Sequence, residues 1–528
     1  MATANMTYLN SFIIAEGKKV EILEENPVVL SIDILGSNFN FNYYNPQYLS
    51  TIRDIEEVEK ERIVQLEPDI AKVTRITGWS TTEHVQYLDE EKDDISTAIP
   101  FLRVQNVLPY KIDLEYAETK YITKEAHEQL KTSQIKPGDV ILTITGFGSV
   151  GNACVVPDGF RECNASQEIV RIRVKNKLSP HYLVAFLNSA LGRHQLWRLQ
   201  TGSSRPRTLI KNVRKIKIIL PKDGDAEKVV VEKAKHIENE IKRIEDKIRT
   251  CQIEISNLIA TRLNFIITPK EWVYFDANLS ERFDVKYYDP KINELYQAME
   301  LKSKEMGFEC LTIGELVTIP KKPEKAISGK IIKYYRWDPS KRSSPDGKYS
   351  PDLFFKHVRI SDVDYRFCEI TSFSEYLGSE APSRARIVLR NGDIITATSG
   401  SATGTEKHKT AVVTADFDGA IATTGFTNLT IRKDENGNPR VPPYYLVALL
   451  RSNFVLFDIK RRTRGATIPS INEDHDLLNV KVPLPSPEER VIIAETTHRL
   501  IHISKDEIAQ LETMRSTITK EIEQLILS

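Results

Sequence analysis

Tyr182-Leu183-Val184-Ala185-Phe186-Leu187-Asn188-Ser189 returns later in the chain as Tyr445-Leu446-Val447-Ala448-Leu449-Leu450-Arg451-Ser452. In both copies apolar residues fall three and four apart behind a proline, Pro180 or Pro443, a spacing that predicts a proline-opened helix buried along its length. Other segments repeat in the same order. Upstream, Phe39-Asn40-Phe41-Asn42-Tyr43-Tyr44-Asn45-Pro46 matches Phe283-Asp284-Val285-Lys286-Tyr287-Tyr288-Asp289-Pro290. Pro137-Gly138-Asp139 leads into Val140 to Thr145 as Asn391-Gly392-Asp393 leads into Ile394 to Thr398, each a turn feeding a buried strand. Strands of alternating polarity follow at Glu168 to Val174 and Thr427 to Arg432, and each repeat closes on a short strand ending in proline, Ile216 to Pro221 and Val480 to Pro485. Solenoid and propeller units run ~20–50 residues, so a period near half the chain means a duplicated domain. Two similar modules suggest a reader with two sites.

Each repeat is followed by a heptad pattern. Val230, Ala234, Ile237, Ile241, Ile244, Ile248, Cys251, Ile255 and Leu258 alternate steps of four and three, with Lys, Glu and Arg between them. Ile493, Thr497, Leu500, Ser504, Ile508, Leu511, Arg515, Ile518, Ile522 and Leu525 nearly repeat it, with one four-four step that reads as a slip in register. A single heptad helix does not bury its own seam, so the two helices are predicted to pack on each other as an antiparallel coiled coil, with a homodimer as the alternative. The predicted helix interface is Ile237, Ile241, Ile244, Ile248, Ile255 and Leu258 against Ile508, Leu511, Ile518 and Ile522. From Asp225 to Thr261 the first helix would span ~55 Å, longer than one ~34 Å turn of DNA, as a fixed-length ruler would be.

Composition narrows the class of partner. The chain has 528 residues, 41% hydrophobic and 28% charged, with 73 basic against 73 acidic side chains. That balance is unlike a protein that coats nucleic acid without regard to sequence, so local charge matters more than the total. No apolar run approaches the ~20 residues that span a bilayer. Met1 to Asn10 lacks a basic region followed by an apolar stretch, so the expected compartment is the cytoplasm, without membrane association. Cys154, Cys163, Cys251, Cys310 and Cys368 are scattered, without a Cys-x-x-Cys pair or histidines at ligand spacing; they read as small buried hydrophobes, and no metal site is expected.

Gly146-Phe147-Gly148-Ser149-Val150-Gly151 fits Gly-x-Gly-x-x-Gly after a predicted strand, but a dinucleotide site needs a helix next, and Ala153 to Gly159 reads as strand and turn. The matching stretch, Ser399-Gly400-Ser401-Ala402-Thr403-Gly404-Thr405, keeps small hydroxyl residues and loses the glycine spacing, so what repeats is a polar loop. Asn45-Pro46-Gln47-Tyr48 only faintly resembles the Asn-Pro-Pro-Tyr of adenine methyltransferases, and Pro351-Asp352 near Lys356 lacks the acidic pair of a nuclease. No catalytic residue is assigned. Basic loops carry the stronger signal: Arg193, His194, Arg198, Arg205, Arg207, Lys211, Arg214, Lys215 and Lys217 interleave with Trp197, Ser203 and Ser204, and Lys460, Arg461, Arg462, Arg464 and Thr467 follow the matching helix. Arg and Lys supply phosphate contacts, and Arg and Ser in loops reach base edges. The predicted DNA-binding residues are Arg193, Arg198, Ser203, Ser204, Arg205, Arg207, Lys211, Lys460, Arg461, Arg462, Arg464 and Thr467, with Thr145 and Ser399 at the strand ends. A third basic stretch, Lys321 to Arg342 with Tyr334, Tyr335 and Trp337, has no counterpart and is a candidate specificity insert.

With these features the chain resembles the specificity subunit of type I restriction-modification enzymes along nearly its whole length. The resemblance rests on Arg282-Phe283-Asp284 to Tyr287-Tyr288, Gly138-Asp139-Val140-Ile141-Leu142 with Gly392-Asp393-Ile394-Ile395, Gly465-Ala466-Thr467-Ile468-Pro469, and Pro485 before Glu488-Glu489-Arg490. The first repeat departs at Asn40, where the second has Asp284, and at Arg205-Pro206-Arg207-Thr208, where the second has Gly-Ala-Thr. The resemblance implies an α+β protein: target-recognition domain 1 over 1–222, spacer helix over 223–265, target-recognition domain 2 over 266–485 and a second helix over 486–528. It implies that each domain reads half of a bipartite, asymmetric target in double-stranded DNA and that the helices set the gap and dock two modification subunits. Those subunits would hold S-adenosylmethionine, and a restriction subunit would use ATP and Mg; this chain would carry no cofactor and catalyse neither reaction. Alternatives are a stand-alone nuclease or methyltransferase, which predicts turnover by the isolated chain, and a coiled-coil scaffold, which predicts binding without sequence preference.

Overall fold

The computed structural model describes residues 43, 45–76, 87–88, 98–116, 119–175, 178–202, 205–265, 285–320, 353–465 and 468–528. Phe39 to Asn42, Tyr44, Ser203, Ser204, Arg282 to Asp284, Lys321 to Arg342, Pro351-Asp352, Ala466 and Thr467, all named above, lie outside the described residues. The chain divides into two compact units, Met1–Arg243 with Gln510–Ser528, and Ile244–Ala509.

The first unit holds an antiparallel sheet in the order Ala71–Arg75, Ile169–Val174, Val140–Thr143, Ala153–Val155. A second sheet runs Lys120–Ile122, Ile99–Leu102, Cys163–Ala165, Gln134–Ile135, with its central pair parallel. The second unit repeats both: Val317–Thr318, Phe426–Ile431, Ile394–Ala397, Thr410–Val412, then Ser374–Leu377, Phe354–Val358, Ile421–Thr423, Ala385–Val388, again with a parallel central pair. The runs after the two Gly-Asp turns are buried at every position, as strands covered on both faces should be, which is why they are apolar without alternation. Gly138 and Gly392 take the left-handed conformation these turns need, with φ of 82° and 86°.

The Tyr-Leu-Val-Ala segments form the helices Pro180–Asn188 and Pro443–Arg451, each with proline in the first turn, where its missing N–H costs nothing. They are buried from Tyr182 to Asn188 and from Tyr445 to Arg451. The repeated tyrosine heads each run because a buried hydroxyl needs an acceptor: Tyr182 donates to the Ile219 carbonyl at 2.9 Å, and Tyr445 to the Pro483 carbonyl at 2.7 Å. Both acceptors lie on or beside a closing strand, Lys217–Ile219 paired with Ile63–Gln65 and Lys481–Leu484 paired with Glu309–Thr312. A second helix follows in each unit, Ala190–Arg198 and Asn453–Arg462.

The heptad segments form helices of 39 residues, Gly224–Arg262, and 41 residues, Pro487–Leu527, and both contribute to both units. The first starts where the Asp223 carboxylate accepts from the Asp225 and Ala226 N–H groups at 3.0 and 2.7 Å, with Asp225 and Glu227 at the positive end of the helix dipole. In the second unit Lys247 pairs with Glu507 and Arg262 with Glu489, so the helices run antiparallel there. In the first unit Lys233 meets Glu521 at 2.5 Å. Ile237, Ile241, Ile244, Ile248, Ile255, Leu511, Ile518 and Ile522 are buried, and Ile508 is half-buried. The predicted seam departs from observation at both ends. After Ile255 the buried position is Ile259 rather than Leu258, which is half-buried, and after Ile522 it is Ile526 rather than Leu525. Four-residue steps rotate the stripe away from a heptad path, and in the second unit that turns Ile259, Leu263 and Phe265 into the domain core beside Phe454.

Of the five cysteines, none forms a disulfide; four are buried and Cys310 is half-buried. Among the described residues no helix is long and apolar enough to cross a membrane.

Candidate nucleic-acid interface

In the first unit two loops lie side by side at the end of the strand Val140–Thr143. One is the glycine-rich turn after Thr145; the other is the tip of a hairpin pairing Gln200–Thr201 with Arg207–Thr208. Thr145 bridges to Arg207, Gly146 N–H donates to the Pro206 carbonyl at 3.0 Å, and Thr208 N–H donates to Ile144 at 2.9 Å. Strand, not helix, follows the glycines, at Ala153–Val155, so these N–H groups brace a loop instead of cradling a pyrophosphate.

The second unit builds the same frame from different residues. Ser399 bridges to Ser470, Gly400 N–H donates to the Pro469 carbonyl at 2.9 Å, and Ile471 N–H donates to Thr398 at 2.9 Å. This geometry corrects the sequence match at the hairpin tip. Gly202 and Gly465 are the equivalent pair: φ is 88° and 90°, and a Cβ on either would sit 3.0 Å from the carbonyl oxygen three residues on, Arg205 or Ile468. Pro206 therefore corresponds to Pro469, Arg205 to Ile468 and Arg207 to Ser470. The first repeat does not lack the glycine; its serines, Ser203 and Ser204, replace Ala466 and Thr467.

The basic residues fall into two classes. Arg205, Arg207, Lys211, Arg214 and Lys215 are exposed beside the first frame, with Arg205 paired to Glu168 and Arg214 to Glu67 at 2.7 Å. Arg464 is exposed beside the second, 3.6 Å from Asp476, and Lys460 is half-buried. Arg193, Arg198, Arg461 and Arg462 face inward. Arg198 donates to the Tyr43 carbonyl at 2.8 Å with its guanidinium 3.8 Å from that ring, and Arg461 does the same to Tyr287 at 2.6 and 4.9 Å. This explains why Tyr43 recurs as Tyr287: each anchors an equivalent arginine. Arg461 and Arg462 also clasp the buried Asp458 at 2.6 and 2.8 Å. Arg193 donates to Asn152 at 3.3 Å, and burial together with the Arg515 charge lowers its pKa. Sequence reasoning counted these charges without seeing their internal partners, because Tyr43 and Asp458 become neighbours only through the fold.

Two buried groups fix the second loop. Gly404 (φ 74°) packs on the helix Asn453–Arg462 so closely that a Cβ would lie 2.6 Å from the Lys460 nitrogen. His408 Nδ1 accepts from Gly404 N–H at 3.1 Å, which leaves Nε2 to donate to Thr396 Oγ1 at 2.7 Å. Burial, with the Arg451 charge adding to it, pushes the His408 pKa down to about 3, so the ring is neutral. Nothing in this pattern is a general base facing a cleft; it is a lock on a loop. Among the described residues no group of three or more His, Cys, Asp or Glu is placed to hold a metal ion.

A family model described as the type I restriction modification DNA specificity domain matches residues 86–255. No curated protein matches the chain. Among solved structures, one described as the basis of assembly and conformational transition of the type I R-M system is 16% identical, covering 87% of this chain and 98% of its own, at a TM-score of 0.35. A type I restriction-modification S subunit from M. genitalium is 10% identical, covering 88% and 94%, at 0.34. An HsdS subunit from Thermoanaerobacter tengcongensis is 14% identical, covering 87% and 96%, at 0.27.

Proposed function

We propose that this chain is the DNA-reading subunit of a type I restriction-modification complex, and that its two loop frames each read one half of a bipartite, asymmetric target. The observation that carries this is the frame itself: the same hydrogen bonds, Gly146 to Pro206 and Gly400 to Pro469, hold unlike side chains at equivalent positions. Arg205 and Arg207 stand where the second unit has Ile468 and Ser470, whereas Thr145 and Ser399 are both small hydroxyl residues and Thr145 is buried. An arginine fork suits guanine in a major groove; hydroxyl and aliphatic groups suit other edges and the thymine methyl. One scaffold bearing two chemistries matches two unlike half-sites.

The exposed Lys211 and Lys215 supply phosphate contacts around the first frame, and Arg464 with Lys460 around the second. Arg193, Arg198, Arg461 and Arg462 contribute by holding the helices that carry the hairpins. Ser203, Ser204 and Thr467 are proposed base contacts on the sequence alone. The long helices space the two frames and dock two modification subunits, which bring S-adenosylmethionine; a restriction subunit brings ATP and Mg. This chain supplies neither methyl transfer nor cleavage, and partners able to flip the target adenine would leave it only the reading to do.

Co-expression with the modification subunit is expected to give adenine methylation at one bipartite sequence. Deleting Phe283 to Pro485 should erase specificity for one half only, and unchanged methylation sites after that deletion would contradict the two-reader account. Methylation or cleavage by the isolated chain would favour the stand-alone enzyme instead.

A further inference from the structure

The tip of the first loop carries Phe147, whose side chain is 82% exposed. A singly exposed apolar residue is ordinary on a protein surface. What distinguishes Phe147 is the pedestal beneath it. Ser149 N–H closes the turn on the Gly146 carbonyl at 3.3 Å, Gly146 is tied to Pro206, Thr143 Oγ1 donates to the Ser149 carbonyl, and Trp197 Nε1 donates to the Val150 carbonyl at 2.8 Å. Gly146 and Gly148, at φ 113° and 71°, flank the phenylalanine and permit the sharp reversal that leaves it standing clear. The same turn recurs where Thr403 N–H reaches the Gly400 carbonyl at 3.0 Å, which sets Ser401 at the position of Phe147. In that unit the exposed apolar side chain moves to the neighbouring hairpin, as Ile468, 59% exposed, at the position of Arg205. Each frame thus presents one large apolar group, from a different loop.

We propose that Phe147 is a wedge that enters a base step of duplex DNA within the half-site read by the first unit; this rests on the DNA-reading function proposed above. A rigidly braced aromatic ring near the exposed Lys211 and Lys215 has the form of side chains that unstack a step while neighbouring cations hold the phosphates. Pyrimidine–purine steps unstack most easily, so the wedge adds a preference for such a step at a position without a hydrogen-bonded base contact. The second unit, with serine at the tip, has no wedge there and reads its half without that distortion.

The test uses the complete complex with its modification subunits and duplexes carrying the methylated bipartite sequence, with 2-aminopurine placed in turn at each position of the first half-site other than the target adenine. Binding should raise fluorescence at one step, and Phe147→Ala should remove that rise and weaken binding about ten-fold, equivalent to about 1.4 kcal/mol. Phe147→Trp should restore both, and Ser401→Ala should leave the fluorescence rise in the first half-site unchanged. Normal sequence-specific methylation with no unstacked step, or with unchanged affinity in Phe147→Ala, would overturn the wedge while leaving the reader intact. Loss of co-purifying modification subunit in Phe147→Ala, with DNA affinity unchanged, would make the ring a protein contact and also overturn it. If the wild-type complex shows no sequence-specific methylation, the underlying reading fails first.

Discussion

Gly404 shows how much of the proposed reading surface depends on a missing side chain. With a Cβ position 2.6 Å from the Lys460 backbone nitrogen and φ of 74°, alanine there forces the loop off the helix. Gly404→Ala should cost roughly 2–3 kcal/mol, combining left-handed strain with overpacking, read as a lower denaturant midpoint. Its neighbour His408 makes stability depend on pH. The unfolded ring takes a proton near pH 6.5, whereas the buried ring resists to about 3. The contribution is therefore complete above 6.5 and is lost as pH falls from 6.5 toward about 3, at a slope of at most about 1.4 kcal/mol per pH unit. His408→Gln should flatten unfolding midpoints across that window; an unchanged slope would mean the ring is not buried neutral. Asp458 makes a parallel case in charge. Asp458→Ala leaves Arg461 and Arg462 without their shared buried carboxylate, and a loss of about 3–5 kcal/mol is expected in thermal unfolding. Lys211→Ala, at the exposed rim, should instead leave stability alone and reduce the salt slope of DNA binding by about 0.9.

At the scale of elements, the long helices give a prediction of length. Adding one heptad to Gly224–Arg262 and a matching heptad to Pro487–Leu527 lengthens each by about 10 Å, so the tolerated gap in the target should grow by about three base pairs. Methylation at the original gap in that variant would count against a ruler. These elements were largely legible in the sequence. The Gly-Asp turns, the proline-opened helices and the heptads carry their own local signals, because turn geometry and helical periodicity are written within a few residues. What was not legible depended on distant partners. Arg198 and Arg461 looked like free cations until the fold brought Tyr43 and Tyr287 under them, and Asp458 is an unremarkable helix residue until two arginines close on it. The equivalence of Gly202 with Gly465 escaped for a related reason: the intervening residues differ, and only the backbone geometry is shared. The first helix departs from its seam at Ile259 because it packs there on a domain core as well as on a helix, and a heptad rule accounts only for the helix.

At the scale of the whole molecule, duplication leaves two units with one sheet order and two loop frames, each braced by the same hydrogen bonds and each bearing its own side chains. Separate evolution of the loops on a fixed scaffold would let either half of the proposed target change without the other. The most direct test maps methylated sites in a host carrying the full system with one of two variants, Arg205→Ala with Arg207→Ala, or Arg464→Ala with Ile468→Ala. The expected result is a bipartite site in which the first variant relaxes one half and the second relaxes the other. Variants that alter both halves together, or neither, would contradict the account.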